Sequence, residues 1–195
     1  MIQVSNICLS VEADEEALRR RLSKLLKRPA SELGEVHIVR QSVDARKKDQ
    51  IHLVYTVQLD LADEPAILRR QLRQVKPVER KAYHFPAVQR QSDQRPVIVG
   101  MGPAGLFCAL YLARNGVPCT VLEQGRPVEE RVRDVEAFWR TGALNERSNV
   151  QFGEGGAGTF SDGKLTTGTH DPRMSAVFDS FAAAGASADI LYSHK

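Results

Sequence analysis

The hydrophobic positions along this chain change period several times, and each change marks an element. Ile2 to Val11 is rich in β-branched residues with partial alternation, which predicts a strand. Asp14 then stands where a helix N-cap belongs, with Glu15 and Glu16 in the first turn, complementing the positive end of the helix dipole. Leu18, Leu22, Leu25 and Leu26 recur at helical spacing and predict an amphipathic helix ending near Arg28-Pro29. Two strands follow: Val36, Ile38 and Gln41 alternate loosely within 34–43, and Leu53, Tyr55, Val57 and Leu59 alternate clearly within 51–61. The polar run 44–50 between them predicts an antiparallel hairpin. Asp63 is placed to cap a last helix over 64–74, and the stretch with Pro77, Pro86 and the polar run 89–95 reads as a linker.

Beyond the linker the pattern becomes strand, glycine-rich turn, helix, strand. Pro96-Val97-Ile98-Val99 is a short apolar strand, Ala109 and Leu112 give the next helix a packing face, Gly116 ends it, and 118–122 is a second strand. Val128, Val132, Val135, Phe138 and Trp139 are spaced to pack on a charged helix from Pro127 to about Arg140, and a further helix is predicted over 174–184. The predicted fold class is α/β: a Rossmann-type βαβ unit preceded by a small α+β module of ferredoxin-like type. The expected domains are 1–75, a linker at 76–95, and 96–195.

Composition narrows the class. With 195 residues, 42% apolar and 26% charged, the chain is neither disordered nor fibrous. No run approaches the roughly 18 apolar residues of a membrane span, and no basic region precedes the apolar residues of the N-terminus, so a cytoplasmic protein without membrane partners is expected. Cys8, Cys108 and Cys119 form no C-x-x-C, which argues against dithiol chemistry and structural zinc; buried small hydrophobes are expected at all three. His37 and His52 lie on strands without a second ligand at metal spacing, so no metal is expected.

The 27 Lys/Arg and 24 Asp/Glu are unevenly divided: residues 1–95 carry +5 and the rest −2. A basic first half could bind nucleic acid, which would make binding strongly salt-dependent. No aromatic residues interleave with Arg46-Lys47-Lys48, however, and the basic clusters fall on turns and exposed helix faces, so solvated surface is the simpler reading.

The candidate chemistry lies in Gly100-Met101-Gly102-Pro103-Ala104-Gly105, a G-x-G-x-x-G that follows a strand and opens a helix. Gly100 permits the tight turn, Gly102 lets backbone approach a pyrophosphate, and Gly105 lets helix pack on strand. Pro103 suits the first helical turn, and the helix N-terminus offers amides and a positive dipole end to a diphosphate. Glu123 ends the second strand 23 residues after Gly100, where a carboxylate can accept ribose hydroxyls and disfavour a 2′-phosphate. A dinucleotide, FAD or NAD, is implied. The run Asn149 to Leu165 holds five glycines between Gly153 and Gly163, and its bracketing Phe152 and Phe160 set it apart from a flexible linker. A loop presenting backbone and small side chains to a planar ligand is the sharper reading.

The strand, Gly100, Gly102, Gly105, Ala109, Leu112, Gly116 and Glu123 together resemble the FAD-binding Rossmann domain of the flavoprotein superfamily that includes glutathione reductase and p-hydroxybenzoate hydroxylase. The segment 149–165, with 42–48 and 54–57, is similar to bacterial FAD-dependent dehydrogenases that carry an α+β domain ahead of the flavin domain. The resemblance implies FAD as cofactor, NAD(P)H as a candidate electron donor, and hydride transfer to or from a small-molecule substrate of unknown structure. It implies that Gly100, Gly102, Pro103, Ala104 and Gly105 hold the diphosphate, with Glu123 and Gln124 at the adenosine ribose and Arg131 as a diphosphate or ribose contact. Gly156, Ala157, Gly158 and Thr159 would lie against the flavin or its ribityl chain, with Ser161, Asp162 and Lys164 as polar groups near the ring. No catalytic acid, base or nucleophile is implied. Because such a domain has further strands and a substrate domain, the chain is expected to be an N-terminal fragment, inactive alone. An NAD-binding module without flavin is the alternative, distinguished by a colourless protein protected thermally by NAD.

Overall fold

The structure, a computed structural model, describes residues 1–79, 83–90, 92–161 and 171–193. These fall into two compact units, one made of 1–84 with 171–193, the other of 85–161.

In the first unit, β1 (Ile2–Ser10), α1 (Glu15–Leu26), β2 (Val36–Asp44), β3 (His52–Leu59), α2 (Glu64–Arg69) and β4 (Val75–Pro77) build a four-stranded sheet in the order β2-β3-β1-β4, every neighbouring pair antiparallel. Ile2, Val4, Ile7, Tyr55, Val57 and Leu59 of the sheet bury against Leu18, Leu22 and Leu26 of α1 and Ile67 of α2. The loose alternation in β1 and β2 has a cause in the register. Between Val4 and Ile7 the pairing with β3 slips by one residue, with Asn6 left-handed at φ 57°, so the buried set passes from even to odd positions. The same slip occurs between Ile38 and Arg40 in β2. Cys8 therefore lies on the exposed face of β1, opposite Ile7, and Cys108 is exposed on its helix, whereas Cys119 is half-buried. The expectation of three buried cysteines is corrected: an apolar run does not say which of its faces is covered.

Asp14 caps α1 as expected, its Oδ1 accepting the Ala17 N–H at 2.8 Å. Asp14→Ala should therefore cost about 1 kcal/mol of stability, read as a lower urea midpoint without a change in slope. Asp63, by contrast, makes no cap bond; it pairs with Arg28. The second helix stops at Arg69, five residues short of the expected end, because Gln71 is left-handed at φ 49° and the chain turns into β4 inside the expected linker. Arg70 is spent on α1, its guanidinium donating to the carbonyls of Leu26 at 2.5 Å and Leu25 at 3.2 Å, which closes the C-terminal end of that helix. At the β2–β3 turn Arg46 forks onto Asp44 at 2.6 and 2.9 Å, pulling that carboxyl down to about 2.

Residues 171–193, including α5 (Arg173–Ala183), group with this unit rather than with residues 96–161, as the sequence had suggested. The Gln41 N–H donates to the Tyr192 carbonyl at 2.7 Å, placing this segment along the edge of β2.

The second unit is a βαβ unit. β5 (Val97–Val99) and β6 (Thr120–Leu122) are parallel, with Val97, Ile98 and Val99 beside Thr120, Val121 and Leu122, and α3 (Pro103–Arg114) connects them. Residues 85–88 of the expected linker are packed on α3: the Phe85 and Tyr111 rings lie 4.5 Å apart, and the Val88 N–H donates to Asn115 Oδ1 at 3.1 Å. α4 (Val128–Thr141) follows, buries Arg131 and Val135, and ends at left-handed Gly142. Trp139, expected to pack, is largely exposed and meets the Phe160 ring edge-on at 6.3 Å. Among the described residues no helix is long and apolar enough to cross a membrane.

Candidate functional site

The site grows from the close packing of α3 on β5. A Cβ on Gly105 would stand 2.0 Å from the Gly100 carbonyl oxygen and 3.4 Å from Ile98 Cγ2, so only glycine lets the helix start this close to the strand end. Gly100 turns at φ +96°, and Pro103 opens α3 with Gly102 as its cap. The three glycines thus hold the strand–turn–helix geometry expected of them.

Glu123 ties this turn to the end of β6. Its two carboxylate oxygens accept the Met101 N–H at 2.6 Å and the Gly125 N–H at 2.8 Å. These bonds hold its carboxyl below the ordinary value, Gly125 first and Met101 next, with burial opposing them; the Arg131 charge adds to the lowering. A carboxylate has about four acceptor positions, so ribose hydroxyls can be accepted alongside the two amides. The sign of the pH effect follows from the lowered value. The stability Glu123 contributes is fully present above 4.5, its unperturbed value, and is lost as pH falls through the lower folded value. Glu123→Gln should flatten that acid limb of a stability–pH curve and weaken cofactor binding about tenfold, read by titration at neutral pH.

The glycine-rich run from 149 is a folded loop fitted against both turns. Gly156 at φ +68° sits so close that a Cβ there would meet Gly102 Cα at 3.1 Å and Pro103 Cδ at 3.0 Å. Gly125 faces Gly153, where an added Cβ would stand 2.4 Å from Gly153 Cα. The Gly155 N–H donates to the Met101 carbonyl at 2.9 Å, and Glu154 reaches α4 with Oε2 accepting the Val128 N–H at 2.9 Å. At the head of the loop Asn149, 8% exposed, accepts the Gln151 and Phe152 N–H groups in an Asx turn.

Arg131 is where the structure departs most from the sequence reading. Its side chain is 0% exposed. Nε donates to the Asn149 carbonyl at 2.8 Å, Nη2 to the Val150 carbonyl at 2.7 Å, and Nη1 to the Glu154 carbonyl at 2.6 Å and Thr159 Oγ1 at 3.3 Å. The Phe160 ring lies 4.9 Å from the guanidinium carbon, a cation–π contact. The expected diphosphate or ribose contact is corrected: this guanidinium is directed at the loop's own carbonyls. Burial lowers its pKa and the Glu123 charge raises it, and it remains a cation at any physiological pH.

A groove of about 400 Å³ is lined by Val99, Gly100, Gly102, Leu122, Glu123, Gln124, Gln151, Phe152, Gly153 and Gly156. It brings together Gly100 and Gly102 of the predicted turn, the predicted Glu123 and Gln124, and one predicted loop residue, Gly156. Pro103 and Ala104 are exposed on the first turn of α3 beside it, and Ala157, Gly158, Thr159 and Ser161 are exposed on the loop. Asp162 and Lys164 lie outside the described residues. The sequence reading placed Asn149, Gly153, Glu154 and Gly155 in a ligand-facing loop without assigning any of them a contact, and it passed over Gly125. The loop glycines carried a signal in their density; Gly125 and the contacts of Asn149 and Glu154 had none.

The strip of backbone at Gly102 and Gly156, which a Cβ on Gly156 would fill, fits a diphosphate crossing the start of α3, and the Glu123 carboxylate fits an adjoining ribose. Residues 95–149 match a family model described as an FAD binding domain. FAD is the cofactor of this domain. Residues 1–60 match a second model, a domain of unknown function (DUF8436). Across its whole length the chain is 40% identical to an uncharacterized protein of Clostridium beijerinckii, of which it spans 37%. Shorter stretches resemble an oxidoreductase subunit and a monooxygenase. Over 33 residues the FAD-binding chain is 58% identical to the NADPH-Fe(3+) oxidoreductase subunit beta of Geobacter sulfurreducens, covering 17% of this chain and 5% of that protein. Over 55 residues it is 40% identical to the FAD-dependent monooxygenase cctM of Talaromyces islandicus, covering 27% of this chain and 14% of that protein.

Proposed function

We propose that this chain supplies the FAD nucleotide-binding part of a flavin-dependent oxidoreductase, a dehydrogenase acting on a small molecule with NAD(P)H as electron donor. The observation that carries the proposal is the joining of three segments in one groove: the Gly100–Gly105 turn, Glu123, and the glycine loop held over both. Bound FAD supplies the hydride and electron chemistry. The chain's own residues bind and orient. The amide end of α3 faces the diphosphate, Glu123 accepts the ribose hydroxyls while its bonds to Met101 and Gly125 keep it ionised, and the Gly153–Gly156 backbone closes the near side of the groove.

The names of the relatives support an oxidoreductase: one is an NADPH-Fe(3+) oxidoreductase subunit and another an FAD-dependent monooxygenase. The antiparallel order β2-β3-β1-β4 supports a ferredoxin-like reading of the first unit, and a cytoplasmic location accompanies this reading. The test is a titration of the purified chain with FAD, followed by quenching of flavin fluorescence. Saturable uptake of one FAD per chain, with NAD unable to compete, is the expected result. Competition by NAD at equal concentration would instead favour a nicotinamide nucleotide in this groove.

A further inference from the structure

Among the described residues Arg131 is the only buried charged side chain, and its guanidinium donates to backbone carbonyls and a hydroxyl. Burying a guanidinium is costly unless its donors are matched, so a site that keeps one uses it for geometry. Here the matched acceptors are three loop carbonyls, those of Asn149, Val150 and Glu154, with Thr159 Oγ1 as a fourth. Carbonyls from positions 149 and 154 converge on one planar fork, an arrangement that a lysine, as a point donor, cannot reproduce.

The loop so gathered is the one that touches the nucleotide turn. Glu154 offers its carbonyl to Arg131, the next residue, Gly155, donates its N–H to the Met101 carbonyl, and the Met101 N–H donates to Glu123. A continuous path runs from the buried cation on α4, through the glycine loop and the G-x-G turn, to the ribose acceptor. A Cβ on Gly153 would stand 2.6 Å from Arg131 Cδ, so the arginine stem also sets how close the loop comes to α4.

We propose that Arg131 is the positioning residue of the FAD site: it fixes the 149–156 loop against the Gly100–Gly105 turn, and cofactor affinity depends on it through that loop. The inference rests on the FAD reading of the groove. It assigns Arg131 a role distinct from contact with the cofactor's own charges, and it requires no ligand atom, because the network closes within the chain.

The test uses the full chain with Arg131→Lys and Arg131→Met, reading FAD affinity by fluorescence titration and amide hydrogen exchange across 149–160. Hydrogen bonds to a charged group predict FAD binding weaker by about 10- to 100-fold in Arg131→Met. Arg131→Lys should recover part of that loss. In both variants the Gly155 amide should lose protection, while β1 and β3 keep theirs. If Arg131→Met does not fold, Arg131→Lys decides, with a weakening of about tenfold and loss of Gly155 protection expected. Either of two results overturns the proposal: affinity within threefold of wild type, or weakened affinity with the loop still protected, which would make Arg131 a direct cofactor contact. A wild-type chain that takes up no FAD overturns the reading of the groove instead. The exchange arm then still decides whether Arg131 holds the loop.

Discussion

Gly105→Ala is expected to lower the melting temperature by about 4–10 °C and to weaken FAD binding at least about tenfold, although alanine is the better helix former. Two effects oppose each other here. Intrinsic propensity favours alanine over glycine in a helix by about 1 kcal/mol. Against this stands a Cβ placed 2.0 Å from the Gly100 carbonyl oxygen and 3.0 Å from its carbon, contacts to backbone that no side-chain rotation can relieve. Overpacking of this kind costs about 1–3 kcal/mol or more, so the steric term wins. The relief available is for α3 to slide away from β5, which displaces the amides meant for the diphosphate. Calorimetry and FAD titration of the same samples check both effects; a Gly105→Ala chain as stable as wild type would show that α3 and β5 do not approach this closely.

The second large effect is expected at Gly125, which lies outside the G-x-G-x-x-G motif. Its Cβ would stand 2.4 Å from Gly153 Cα, 2.5 Å from Gly153 N and 2.9 Å from the Phe152 carbonyl carbon. The collision is between two loops rather than between helix and strand. Gly125→Ala should therefore lift the 149–156 loop off the turn after β6 and pull the Gly125 N–H away from Glu123, whose oxygen accepts it at 2.8 Å. FAD affinity should fall about tenfold or more while the first unit's unfolding is unchanged. Limited proteolysis should open a new cut within 149–156. Wild-type affinity together with wild-type resistance to proteolysis would contradict the packing of these loops.

These glycines show how unevenly the site could be read in advance. The G-x-G-x-x-G was legible because its demands are local: strand, turn and helix are consecutive, and the turn at Gly100 and the close approach of Gly105 to it are set within the motif itself. Glu123 was legible because a βαβ unit brings the end of its second strand beside the first turn. Arg131 was named and its partner mistaken. It bonds carbonyls 18 to 23 positions onward, and a carbonyl is present at every residue, so no side-chain identity announces the contact. Gly125 was passed over, and the contact of Gly153 with it unforeseen, for the same reason, since a glycine needed by another backbone looks, in sequence, like any turn glycine.

In the first unit the division follows the same line. Leu18, Leu22 and Leu26, and Tyr55, Val57 and Leu59, announced their elements through period alone, because a helix or strand half-buried on one face must repeat at its own spacing. The slips at Val4–Ile7 and Ile38–Arg40 erased that period in β1 and β2. β4 spans three residues, too short to show a period at all. What local periodicity and residue chemistry can express, namely the elements, the nucleotide turn and its acid, was present in the linear chain. Which buried faces meet, where Arg131 spends its donors, and how the glycine loop comes to lie on the nucleotide turn depend on backbone groups distant in sequence, and only the folded chain brings those together.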